Sequence, residues 1–224
     1  MKINVLIPTY NRAKYIKEAI RSILDQTYSD INIIVYDDGS TDNTVSIIKS
    51  IKSNRITLIK GEINKGVAHA RNQLLNACPS LYACWQDSDD ISTENRILYQ
   101  SKLLNENTLV FCKWTWLKNR NGLWRPDQNT PIRQAFATVM FPVDKNILFK
   151  ETMNMGGEDW DWLERMKNKY KEIIVPDEIL YQVRLHSDRI GAWKKKIRAT
   201  VPPELIRTLS YEKLIEYYKK HYEK

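Results

Sequence analysis

Apolar and polar residues change period several times along the first half of the chain. Lys2 to Ile7 is a short β-branched run that reads as a strand ending at Pro8, since proline has no N–H to give to a sheet interior. After Thr9-Tyr10-Asn11-Arg12, apolar residues recur at helical spacing at Ile16, Ala19, Ile20, Ile23 and Leu24. Ile31 to Tyr36 is almost continuously apolar, as in a strand covered on both faces. Thr41 or Asp42 is placed to cap a helix carrying Val45, Ile47, Ile48 and Ile51. Arg55 to Lys60 reads as a third strand, Val67 to Cys78 as a helix, and the run ending at Trp85 as a fourth strand.

Four alternations of strand and helix predict an α/β fold with a mainly parallel sheet and helices on both faces. Such sheets bind ligands at the carboxyl ends of their strands. Thr9-Tyr10, Asp38 and Asp87-Ser88-Asp89 all fall at those ends. Two familiar phosphate loops are absent: no glycine precedes Gly39 after the first strand, and Val67-Ala68 follow Gly61 and Gly66 where a P-loop needs Lys and Ser/Thr.

Beyond a helix expected over Glu94 to Asn105 the alternation fades into Leu109 to Leu117, a turn at Gly122 and a loop with Pro126 and Pro131. Irregular stretches of this kind commonly carry binding specificity. Glu158-Asp159-Trp160-Asp161 opens a helix after Gly156-Gly157, and a strand from Ile179 to Leu185 leads to His186. From Pro202, Leu205, Ile206, Leu209, Leu214, Ile215 and Tyr218 fall at helical spacing.

The 224 residues, 42% hydrophobic and 28% charged, suit one sizeable core with a C-terminal appendage. No apolar run approaches the roughly 18 residues of a membrane span, and the chain opens on a strand rather than a signal peptide, so a cytosolic protein is expected. Cys78, Cys84 and Cys112 lack metal-type spacing and read as buried, reduced thiols. The net charge of +8 admits an anionic ligand, a nucleic acid or an acidic membrane surface. Much of it lies late, in Lys194 to Arg198 and Lys219-Lys220, which suggests docking rather than chemistry.

The strongest chemical signal is Asp87-Ser88-Asp89-Asp90 after the apolar run Leu81 to Cys84. Carboxylates this close repel, so a cation is expected among them, and a hard divalent ion such as Mg²⁺ or Mn²⁺ is the natural candidate. A solvated acidic loop is the plainer alternative. Carboxylates at Glu158, Asp159 and Asp161 also suit simple stabilisation of a helix N-terminus. His69 and His221 are expected on helix surfaces. Most of the tryptophans read as core, with Trp160 or Trp162 beside Asp159 as the candidate for stacking against a ligand.

The ordered series Val5 to Arg12, Asp37 to Asp42, Asn64 to Asn72, Asp87 to Asp90 and Gly157-Glu158-Asp159 resembles the GT-A glycosyltransferases of family 2. These are inverting enzymes that use nucleotide-diphosphate sugars. The resemblance spans roughly residues 3 to 190. It implies a domain over 1–190, with a nucleotide-sugar half (1–105) and an acceptor half (106–190); the basic helical tail over 191–224 lies beyond the resemblance and is read from charge and helical spacing alone. It also implies that Pro8, Thr9, Tyr10, Arg12, Asp38 and Gly66 belong to the nucleotide pocket, often for UDP, that Arg71 supports the nucleotide or its phosphates, and that Asp87 and Ser88 lie near the ribose or donor sugar. Asp89, joined by His186, would hold Mn²⁺ or Mg²⁺, and Asp159 would deprotonate the acceptor, a glycan or glycoconjugate hydroxyl.

A sugar nucleotidyltransferase would also want metal, aspartates and a nucleotide pocket, but leaves Glu158-Asp159 without a task. A non-catalytic basic module draws its support from the charge alone. Its aromatic and basic residues do not interleave in a nucleic-acid motif, so no nucleic-acid partner is expected. The basic tail is the candidate for contact with the inner face of a membrane or with a polyanion.

Overall fold

The computed structural model describes residues 1–121, 123–127, 135–152 and 157–187, with residues 200, 201, 217, 220 and 221. The tail expected over 191–224 lies otherwise outside the described residues, as do Gly122, Pro131, Gly156 and Trp193.

The first half follows the predicted alternation: β1 (Ile3–Thr9), α1 (Ile16–Leu24), β2 (Ile31–Asp37), α2 (Thr44–Ser50), β3 (Ile56–Lys60), α3 (Val67–Ala77) and β4 (Tyr82–Trp85). The second half adds β5 (Ile91–Ser92), α4 (Arg96–Leu103), β6 (Thr108–Arg120), β7 (Leu123–Pro126), β8 (Met140–Pro142), α5 (Glu158–Lys167) and β9 (Lys171–Leu185), with a 3₁₀ turn at Phe136–Thr138. The described strands form one sheet in the order β3-β2-β1-β4-β8-β6-β9-β5, with β7 paired to β6. β1, β2, β3 and β4 run parallel, β8 is antiparallel to β4 and β6, and β9 runs parallel to β6.

Side-chain alternation along the strands sorts the core into two layers. Ile3, Val5, Ile7, Ile31, Ile33 and Val35 pack with Ile16, Ile20, Ile23, Ile48 and Ile97 from α1, α2 and α4. Leu6, Ile34, Tyr36 and Trp85 face the other way, onto Leu74 and Leu75 of α3 and onto Trp162, Leu163 and Met166 of α5. Thr9 and Asp37, aligned in register, continue the first layer, while Asp38 continues the second.

Three expectations change. β1 runs through Pro8, which pairs with Tyr36, because the β1 to β4 ladder already stops at Leu6 and Trp85 and asks no N–H of Pro8. The N-cap of α2 is Asn43 rather than Thr41 or Asp42, although an Asp42 carboxylate oxygen still accepts the Thr44 N–H. β9 starts at Lys171, well before Ile179, because pairing with β6 from Thr108 holds a polar start in the sheet.

Candidate active site

The loops after β1 and β2 are stitched together at the sheet rim. Asn11, at φ +51°, donates its N–H to Ser40 Oγ and accepts the Thr41 N–H on Oδ1 at 2.8 Å. The Arg12 N–H reaches Thr44 Oγ1 at 2.8 Å, and the Ala13 N–H reaches Asp42. Burial would raise the Asp42 pKa, but hydrogen bonds from Thr44 and Ala13 outweigh it and bring the group below the usual carboxylate range. Gly39 sits at φ +74°, and a Cβ there would come 2.7 Å from the Ile63 carbonyl carbon, so both conformation and space demand glycine.

Asp38 is buried, and its carboxylate accepts the N–H groups of Lys65 and, at 2.7 Å, Gly66. Gly66, at φ +97°, is the N-cap of α3, so Asp38 fastens the end of β2 to the start of that helix. Pro8 and Thr9 are buried and Tyr10 is half-buried beside them. Thr9 Oγ1 and Asp37 Oδ1 are buried with no hydrogen-bond partner among the described residues.

The acidic turn after β4 divides its carboxylates among different tasks. Asp90 is buried and accepts the Arg184 N–H at 2.8 Å, a structural bond. Asp89 Oδ2 meets Arg12 Nε at 3.1 Å and His186 Nε2 at 3.1 Å. The cation expected among the carboxylates is therefore, in part, the guanidinium of Arg12. Asp87 is half-buried, its N–H donating to the Tyr181 hydroxyl, and Ser88 is buried between the two. Burial and the carboxylates of Asp90 and Asp87 push the Tyr181 phenol far up, so it stays protonated beneath the turn.

Residues that carried no signal in the sequence hold this turn. The Gln86 amide donates to the carbonyls of Asp87 and Asp90, closing the turn from inside. Arg96 is fully buried and spends all its N–H groups on neutral acceptors: Gln100, Gln86, Ser92 Oγ and the carbonyls of Trp85 and Ala137. Arg184 donates to the Asp89 carbonyl and to Glu18. Their helix and strand positions look ordinary in sequence, and no local pattern marks them.

His186 follows β9 directly, its ring 4.3 Å from that of Tyr15, and its Nδ1 is buried with no hydrogen-bond partner among the described residues. A carboxylate oxygen and an imidazole nitrogen turned toward each other form a donor pair that fits Mn²⁺ or Mg²⁺, ions that take their remaining ligands from water and substrate phosphates. Among the described residues no group of three or more His, Cys, Asp or Glu is placed to hold a metal, so the protein side of such a site rests on this pair.

Gly157, in the left-handed conformation, leads into α5. Asp159 is half-buried, and its Oδ1 accepts the Trp160 N–H at 2.9 Å. Glu158 points inward to Arg71, and Asp161 is held by Lys150 and Arg165. Hydrogen bonding from Lys150, against burial and aided by Arg165, lowers the Asp161 pKa. Arg71, which the resemblance places at the nucleotide, is buried against Glu158 and the Phe136 ring. Trp162 is core and donates to the Ile147 carbonyl, whereas Trp160 is 62% exposed, so only Trp160 is free to offer a face outward. His69, expected on a helix surface, is half-buried and bonded to Glu151.

A family model described as "Glycosyl transferase family 2" matches residues 4–160. The chain is 42% identical over 162 residues to "Glycosyltransferase GlyG" of Streptococcus pneumoniae, covering 70% of this chain and 51% of that protein. It spans about half the length, or less, of the curated relatives it matches. Among solved structures, S. aureus TarS 1-349 in complex with UDP-GlcNAc superposes with a TM-score of 0.68 at 17% identity, covering 99% of this chain and 73% of that one. The mannosyltransferase PcManGT from Pyrobaculum calidifontis, in complex with GDP-Man and Mn²⁺, gives a TM-score of 0.66 at 19% identity over 88% of this chain and 60% of that one. At these identities the structural likeness is one of fold.

Proposed function

Since the chain belongs to glycosyl transferase family 2 and has its GT-A fold, we propose that it moves a sugar from a UDP-sugar to a hydroxyl of a glycan or glycoconjugate, inverting the anomeric centre. The observation that carries this reading is the meeting of His186 with Asp89, at the same rim where Thr9 ends β1 and Asp38 follows β2. UDP is favoured because a protein of the same fold is described with UDP-GlcNAc bound.

In this reading Pro8, Thr9, Tyr10, Asp38 and Gly66 line the pocket for the base and ribose, with Asp87 and Ser88 toward the donor sugar. Asp89 and His186 hold the divalent ion, and Mn²⁺ in a protein of the same fold supports that choice. The bound ion supplies Lewis-acid stabilisation of the leaving diphosphate. Arg12 offsets the Asp89 charge. Asp159 takes the proton of the acceptor hydroxyl; the new C–O bond forms at the anomeric carbon as the bond to the diphosphate oxygen breaks, its electron pair leaving with UDP. Trp160 offers the acceptor sugar an indole face. The basic stretch Lys194 to Arg198 would dock a cytoplasmic enzyme on an anionic membrane, and liposome co-sedimentation at low salt, with and without the tail, tests that part.

The test of the whole reading is a thermal-shift panel of nucleotide sugars with Mn²⁺ or EDTA. A UDP-sugar is expected to raise Tm in the presence of Mn²⁺ and to release UDP, with the product's anomeric configuration opposite to the donor's. Equal shifts in EDTA would remove the metal from the account, and retention of configuration would remove the single-step displacement.

A further inference from the structure

Helix α3 sends three polar side chains toward Phe149, Glu151 and Glu158. The Asn72 amide donates to the Phe149 carbonyl at 3.0 Å and accepts the Phe149 N–H at 2.7 Å, so one side chain serves that residue as a strand partner would. The same amide donates to Glu151 at 2.8 Å, and His69 Nδ1 meets the other oxygen of Glu151 at 3.1 Å. From the residue just before Asn72, Arg71 Nη1 lies 3.4 Å from Glu158 Oε1, with both side chains less than a tenth exposed. The Arg71 guanidinium lies 4.4 Å over the Phe136 ring and 5.3 Å from that of Phe149, and its Nε has no acceptor among the described residues.

A buried ion pair joined by a single long bond recovers little of its desolvation cost, so stability alone does not account for it. What it fixes is direction. Successive residues of an α-helix point about 100° apart. Glu158 drawn inward by Arg71, with Trp162 inward one turn later, leaves Asp159 and Trp160 on the outward side of α5. The start of α3 is at the same time fastened to Asp38 through the Gly66 N–H, so one helix ties the nucleotide side of the rim to the acceptor side.

We infer that His69, Arg71 and Asn72 form a brace for the segment bearing Asp159, and that Arg71 is a positioning residue acting through Glu158 rather than a ligand of the nucleotide. The inference rests on the reading of Asp159 as the base. It adds an acceptor-side task to a helix whose start faces the donor.

The test compares wild type, Arg71→Lys, Arg71→Met, Glu158→Gln and the double variant Arg71→Met/Glu158→Gln, which leaves no charge buried without a partner. Four quantities are read: Tm, calorimetric affinity for UDP with Mn²⁺, hydrogen exchange over 157–163, and UDP release from the UDP-sugar selected by thermal shift. In the double variant, UDP affinity is expected to stay within about twofold, while exchange rises and turnover falls by about tenfold or more. The double variant should be no slower than the slower single variant, and Arg71→Lys should recover part of the turnover. Weakened UDP binding with unchanged exchange would make Arg71 a nucleotide ligand and overturn the brace. Unchanged exchange and turnover would reduce the pair to packing and overturn it equally. Wild-type turnover in Asp159→Asn would instead sink the base reading, with the exchange measurements still deciding the brace.

Discussion

His186 Nε2 lies 3.1 Å from Asp89 Oδ2, although 97 residues separate them in the chain. The contact joins the end of β9 to the turn after β4, and Arg12 Nε reaches the same oxygen from the loop after β1. In the proposed site, replacing His186 by Ala removes one of the two residues assigned to the ion and is expected to weaken Mn²⁺-dependent UDP binding by about tenfold or more, while UDP binding in EDTA stays unchanged. Calorimetry with and without Mn²⁺ reads both arms, and an equal loss in EDTA would assign the histidine a purely structural role.

Asp159→Asn is expected to lower kcat by about 10²- to 10⁴-fold and to leave the donor KM nearly unaltered, as removal of a positioned base does. Steady-state kinetics with the natural acceptor checks this. Trp160→Ala should act on the other parameter, raising the acceptor KM with a smaller change in kcat.

Arg96 is the support beneath the acidic turn, and its loss takes a donor from the Trp85 and Ala137 carbonyls and from the Gln100 amide oxygen in the core. With each buried acceptor left unpaired costing about 1–3 kcal/mol, Arg96→Met should destabilise the fold by at least about 3 kcal/mol. Urea unfolding measures the loss.

Burial favours protonation of Glu151, but hydrogen bonds from Asn72 and His69 outweigh it and hold the group below the usual glutamate range. A carboxylate with a depressed folded-state pKa stabilises the fold above its unfolded pKa of about 4.3, and that contribution disappears as pH falls through the folded value. The Tm difference between wild type and Glu151→Gln should therefore be full at neutral pH and shrink toward zero in acid below the glutamate range. A constant difference across that window would show that the charge of Glu151 is not what matters.

Burial pushes the thiols of Cys84 and Cys112 up to about 11 and that of Cys78 above its usual value, and all three are free. The thiolate is the reactive form. Native protein at pH 8 should be almost inert to iodoacetamide, with all three cysteines alkylated after unfolding, as mass spectrometry would register.

Local chemistry was enough to read the parallel half of the sheet and its rim. Strand and helix periods, the glycine and aspartate turns, and the polar positions at or just past the strand ends (Thr9, Asp38 and Asp87 to Asp89) are properties of neighbouring residues, so the sequence carries them without knowledge of the fold. Local chemistry was not enough where the partner is remote. That Arg71 turns to Glu158, that Arg12 and His186 share one oxygen of Asp89, and that Arg184 crosses to Glu18 depend on strand order and on β8 entering antiparallel between β4 and β6. Period alone could not choose between Trp160 and Trp162 either. Two tryptophans in one helical turn look alike in sequence, and the aromatic cluster of Trp85, Phe141 and Phe149, gathered from separate elements, accepts Trp162 and leaves Trp160 outside.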